Sequence, residues 1–197
     1  MLSFGIPSAE KLRRFISEQS KQSYSYAAVG GTAGIHPAGY TVDHTRLKLG
    51  EGKALFESAK AAIRRWDQFH FTWLEAGPED TPIQVGEVVA VMPHLMGLWW
   101  LNACRIVSVI DEGGPVCRFG FSYGTLPDHA ARGEERFLVE WHEADDRVWY
   151  DILAFSRPRH FLARLGYPVF RRIQKKFARD SVAAMLRAAF ASGANRS

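Results

Sequence analysis

Cysteine is nearly missing from this 197-residue chain: there are two, Cys104 and Cys117, each inside an apolar, strand-like run. That excludes a fold built on a disulfide framework. Both read as reduced core residues of a cytoplasmic protein, with a disulfide between neighbouring strands as the lesser alternative. No Cys-x-x-Cys occurs, and the seven histidines stand singly, so no metal-ligand spacing is present. Also lacking are a phosphate-cradling glycine loop and a Gly-x-Ser-x-Gly elbow. The Leu49–Gly52 step, LGEG, precedes a helix but is too short and too acidic to hold a phosphate. No apolar run reaches the ~18–20 residues that span a bilayer. The opening MLSFGIPSAEKLRRF has no charged-apolar-small order of a secretion signal. The expectation is therefore a cytoplasmic protein with no metal and no cofactor.

What is present is enough apolar residue, 47% of the chain, for one domain with a full core. The C-terminal part is the most informative. From Pro168 to Ala191 the pattern predicts one long helix, with Phe170, Ile173, Phe177, Ser181, Ala184 and Ala188 on a single stripe. Arg171, Arg172, Lys175, Lys176 and Arg179 fall on the opposite side. Charge is unevenly placed: residues 157–187 carry nine Lys/Arg against Asp180, a balance of +8, so the remainder sums to −4 within the overall +4. This basic face either is a solvated helix face or meets a membrane surface or an acidic partner. No aromatic side chain is interleaved with it, and nucleic acid is not expected.

Along the rest of the chain, Ser8 caps a short helix, and residues 21–39 form an irregular arm rich in Ser, Gly and Ala. Tyr40–Leu49 is a strand candidate, and Lys53–Trp66 has helical spacing. Alternation then predicts strands at Phe69–Leu74, Val85–Val91 (stopped by Pro93), Leu98–Ile110, Cys117–Thr125, Glu134–Trp141 and Arg147–Phe155. Short turns such as Asp111–Pro115 make this an antiparallel meander. The expected fold is α+β: a curved antiparallel sheet gripping the C-terminal helix, with an up-and-down β-barrel as the rival. Residues 1–39 would be an arm packed on a main domain of 40–192, and 193–197 a tail.

FSYGTLPDHAARGEERF at Phe121–Phe137 resembles the signature of a widespread family of uncharacterised proteins, a domain of unknown function. GIPS at Gly5–Ser8, LGEG at Leu49–Gly52, FLARLGYP at 161–168 and QKKFARDS at Gln174–Ser181 are similar to the same family, so the resemblance runs nearly end to end. The chain departs from the pattern at Asp128, where the family has glycine. The resemblance implies no substrate. Its strand–helix order is similar to the START and pollen-allergen helix-grip proteins, which implies apolar-ligand carriers, sensors and a few cyclases or hydrolases.

Several polar residues interrupt apolar patterns. Glu135 is in phase with Phe137, Val139 and Trp141, so it points inward, whereas Glu134 does not. With His129 it could form an acid–base pair at a pocket mouth; otherwise it binds backbone amides or an arginine and fixes the loop. Asn102 and Arg105 lie on opposite faces of one apolar strand, so one of them is partly inward. An inward Arg105 would orient a ligand anion or, the favoured expectation, pair with Asp151. Trp73, Trp100, Tyr123, Trp141 and Tyr150 are candidate pocket walls, with Phe177 facing them from the helix. The leading expectation is a small hydrophobic molecule held between sheet and helix. The alternatives are a cyclase- or hydrolase-type enzyme using His129 and Glu135, and an interaction module working through its basic helix.

Overall fold

The computed structural model describes residues 1–159 and 167–194. The FLARLGYP stretch up to Gly166, with Arg164, and the last three residues lie outside them. Strand β1 (Leu2–Ser3) leads to helix α1 (Ala9–Gln19), whose first turn is capped by the Ser8 hydroxyl accepting from Lys11 N–H at 3.2 Å. A cap of this kind contributes about 1 kcal/mol. A 3-10 turn at Gly31–Ala33 interrupts the arm before β2 (Thr41–Glu51) and α2 (Lys53–Arg64). Then come β3 (Leu74–Gly77), β4 (Val88–Leu95), β5 (Leu98–Trp100), β6 (Asn102–Glu112), β7 (Val116–Thr125), β8 (Ala131–His142), β9 (Arg147–Pro158) and helix α3 (Tyr167–Ala194).

The strands form one antiparallel sheet in the order β1-β5-β4-β6-β7-β8-β9-β2, with β3 added on β4. β1 and β2 stand at opposite ends and do not pair, so the sheet stays open and the barrel alternative is excluded. α3 lies in the concavity instead: this is the helix-grip arrangement. Its C-terminal half is packed solid. Ser181, Ala184, Met185 and Ala189 are buried, and α2 presents Phe56, Ala59, Ala62 and Ile63 to it. Small side chains on both helices let the backbones approach.

A second apolar cluster covers the convex face. Phe15 of α1, with Leu12 and Ile16 beside it, packs on Val88, Ala90, Met92, Leu101 and Ala103. β4 is therefore buried on both sides, which explains its unbroken apolar run.

Three expectations need correction. Phe69–Leu74 is not a strand. Trp66 (φ 61°) ends α2, and a 3-10 turn at Asp67–Phe69 follows, which buries Trp66 and Phe69 together at a three-residue spacing. Pro93 does not stop its strand, since β4 runs through it to Leu95. Nor is Leu98–Ile110 one strand, because the chain breaks at Leu101 between β5 and β6. Val91 pairs with Asn102 and His94 with Trp99, which places Pro93 across from Trp100. Proline has no N–H to give there. The Asn102 side-chain amide supplies the missing donor, reaching Trp100 O at 3.1 Å and Val91 O at 3.3 Å.

Candidate functional site

Under the N-terminal half of α3 the packing opens into a cavity of about 1000 Å3. The sheet supplies its floor, through inward residues such as Leu47, Val91 and Ile152, and α3 supplies the roof through Val169, Ile173, Phe177 and Val182. Its walls are predominantly apolar. Rings of Phe69, Phe137, Tyr123 and Phe177 close it off from the solid core, with Phe69 and Phe137 centroids 5.1 Å apart and Tyr123 and Phe137 5.5 Å apart.

Side-chain bonds tie α3 over the hollow at both sides. On one, Arg171 pairs with Asp43 of β2, and the Gln174 amide donates to Ser156 Oγ of β9 at 2.8 Å. On the other, Trp73 Nε1 donates to Asp180 at 2.8 Å, while Lys176 sits 4.3 Å from the Trp73 ring and pairs with Asp180. Tyr150 and Ser181 hydroxyls meet at 3.0 Å below the solid half. The basic face is thus partly consumed within the chain: Arg171 and Lys176 hold the helix down, while Arg172, Lys175 and Arg179 are exposed.

Polarity converges at one place. Tyr123 Oη donates to Glu135 at 2.9 Å, and both face the cavity. Glu135 is half-buried and lines the cavity. Burial pushes its pKa up to about 7; the Tyr123 bond opposes this, and the like charge of Asp43 adds to it. The same burial, followed by the Glu135 charge, raises Tyr123 well above the ordinary phenol range. His129, also on the wall, is held down to about 4, chiefly by burial. Its Nδ1 accepts the Ala131 N–H at 2.9 Å, so the ring is neutral with its proton on Nε2. Asn102 Oδ1 accepts from Ala130 N–H at 3.1 Å, and Gln19 Oε1 from Asp128 N–H at 3.3 Å, fixing the loop between β7 and β8. Asp128 is not in the left-handed region, so the turn does not need the glycine expected there.

Of the expected ligand contacts, Trp73, Trp100, Asn102, Tyr123, Glu135 and Phe177 line the cavity. Arg105 does not. It points to the convex side, donating to Ser20 O at 2.6 Å and Gln22 O at 2.9 Å, over the Tyr24 ring. Its expected partner Asp151 is also convex and is bound by His44 at 2.6 Å and Arg136 at 2.9 Å, with Arg46 at 3.4 Å. The pairing fails because Asp151 lies on β9, three strands along the sheet from the β6 strand that carries Arg105. Tyr150 and Trp141 lie outside the cavity; Trp141 donates to Asp146 at 2.7 Å. The loop-fixing role weighed for Glu135 belongs to its neighbour. Glu134 accepts from Tyr26 Oη and Gly30 N–H, each at 2.7 Å, from Thr32 N–H at 3.1 Å, and from the Thr32 hydroxyl. The rim groups Asp43, Gln174 and Ser156 were missed. Alternation along β2 and β9 carries the signal for Asp43 and Ser156.

A protein family described as a domain of unknown function (DUF1990) matches residues 25–184. The chain belongs to the DUF1990 family. A UPF0548 protein from Dictyostelium discoideum is 36% identical, over 95% of this chain and 95% of its own length. Among solved structures, a hypothetical protein from Helicobacter pylori superposes with a TM-score of 0.53 at 9% identity, over 85% of this chain and 96% of that one. Human STARD10 gives 0.48 at 12% identity, over 94% and 81%. By its own topology this DUF1990 chain is helix-grip, a curled antiparallel sheet around its C-terminal helix. Among its described residues no three His, Cys, Asp or Glu side chains stand together as a metal site, and no helix is long and apolar enough to cross a membrane.

Proposed function

We propose that this DUF1990 protein binds a small apolar or amphipathic molecule between its sheet and the N-terminal half of α3. The observation that carries the reading is the hollow itself. A volume of about 1000 Å3, mostly apolar and roofed by a helix that is held by side-chain bonds at both sides, suits a ligand of a few hundred daltons. Filling it with apolar surface is worth ~25 cal/mol per Å2 removed from water. An interior packed to ordinary protein density would leave no such space.

Native mass spectrometry of protein purified under mild conditions tests this, together with titration by the neutral dye Nile red. The expected results are a co-purifying mass or a saturable, 1:1 dye signal. Ala154 lines the cavity from β9, and Ala154→Phe fills part of it. That variant should stay folded and lose most of the dye affinity. Finding no bound mass and no saturable dye binding would sink the proposal.

The Glu135–Tyr123 pair supports a second reading, acid–base chemistry on the bound molecule. A carboxyl with a pKa of about 7 exchanges protons readily at neutral pH. His129 would contribute a hydrogen bond from Nε2. This reading falls if the cavity's own ligand is recovered unchanged after long incubation with the protein.

A further inference from the structure

Of the three acidic residues along the cavity, Glu134 turns its carboxylate away to the N-terminal arm, and the other two are in different states. Asp43, at the rim, is paired with Arg171. Glu135, further in, receives the Tyr123 hydrogen bond and enters no ion pair among the described residues. An ionised carboxylate offers about four acceptor sites, and Tyr123 uses one of them, so Glu135 has acceptor capacity to offer on the cavity it lines. Among the described residues, the groups that face it do not neutralise it. Tyr123 from β7, Tyr150 from β9 and Cys104 from β6 all have pKa values raised by burial and by the Glu135 charge, and Asp43 from β2 is of the same sign. His129 is neutral. From α3, Arg171 is engaged by Asp43, Lys175 is exposed at the wall, and Arg179 reaches Asp180 with most of its side chain in solvent.

A buried carboxylate without a counter-charge is costly, and a ligand that brings one removes the cost. We propose that the cavity is selective for apolar molecules bearing a basic amine, whose ammonium group is held by Glu135 beside Tyr123, and that it disfavours fatty-acid-like anions. The inference rests on the reading that this hollow takes a small molecule. An ammonium supplies charge-assisted donors, roughly twice as strong as neutral ones. An alcohol supplies a donor without charge. A carboxylate ligand would add a third negative charge next to Glu135 and Asp43.

The test is displacement of Nile red from the full chain at pH 8 by decylamine, decanol and decanoate, three ligands of equal chain length used below their micellar concentrations. Decylamine is expected to displace the dye at concentrations at least about tenfold lower than decanoate, with decanol between them. Lowering the pH to 5.5 should shrink that advantage as Glu135 takes up a proton. Glu135→Gln should bring the amine-to-decanoate ratio close to one. Tyr123→Phe, which keeps the carboxylate, should retain the amine preference. Decanoate binding as well as decylamine to the unaltered protein would overturn the inference, as would a ratio unmoved by Glu135→Gln. Nile red failing to bind at all overturns the small-molecule reading beneath it, and the two failures are thus told apart.

Discussion

Glu134 and Glu135 are consecutive on β8, yet they live on opposite faces of one sheet, and the faces are finished differently. On the convex side Glu134 takes four hydrogen bonds from the N-terminal arm. Nearby, Asp151 and Glu140 are covered by Arg46, Arg118 and Arg136. Burial raises the Glu140 pKa, but the Arg118 and Arg46 bonds outweigh it and hold the group below its ordinary range. On the concave side Glu135 has, among the described residues, one side-chain bond and no paired cation, with a cavity in front of it. Polar groups that build a fold are saturated; a buried one left short of partners beside open space points to a ligand.

The sharpest break of this contrast is Glu134→Ala. It strands the Tyr26 hydroxyl and the Gly30 and Thr32 donors, and should destabilise the fold by about 3–5 kcal/mol in urea unfolding. Next comes the roof helix itself. Met185→Ala, in the solid half of α3, should cost about 2–5 kcal/mol, because the site cannot collapse around the lost side chain.

Glu135→Gln should do the reverse above neutral pH. The folded pKa of Glu135, about 7, lies above the ordinary 4.5, so the native state binds more protons than the unfolded state between these values. Its contribution is therefore fully present below about pH 4.5 and is lost as pH rises through 7. At pH 8 the Gln variant should be the more stable by an amount on the order of 2–3 kcal/mol, and the difference should vanish near pH 4. His129 slopes the other way: its folded pKa of about 4 lies below the ordinary 6.5, so stability rises with pH between those values. The two trends oppose each other from about pH 4.5 to 6.5, and Glu135→Gln should expose the His129 rise in that window. A flat difference curve against pH would contradict the enclosed, uncompensated state of Glu135. The smallest effect is expected at Arg105→Ala, about 1 kcal/mol from the loosened end of α1, with Nile red binding unchanged. A loss of dye binding there would mean that convex residues also serve the cavity.

Much of this was readable in the residues. The helical stripe of α3 and the alternation of β8 placed Phe177 and Glu135 on the inner side because side-chain direction follows local periodicity. Other parts were illegible. The aromatics at Phe69, Phe71 and Trp73 mimic a strand, since a 3-10 turn followed by a loop can bury alternate residues as well as a sheet can. The break at Leu101 depends on Pro93 in the neighbouring strand, and the neighbour of a strand is a non-local fact. Arg105 was misplaced for the same reason. Its strand is apolar on both faces, and periodicity cannot say which face α1 will cover.

Sequence alone determined which residues share a face, that the strands run antiparallel through short turns, and that the terminal helix must lie on an apolar surface. These follow from backbone geometry over a few residues and from the free energy of removing apolar groups from water. Only the tertiary structure decided that the helix packs solid at one end and spans a cavity at the other, that Glu134 is saturated while Glu135 is not, and that Arg171 clasps Asp43. Those outcomes depend on the distances between segments far apart in the chain, which packing as a whole sets.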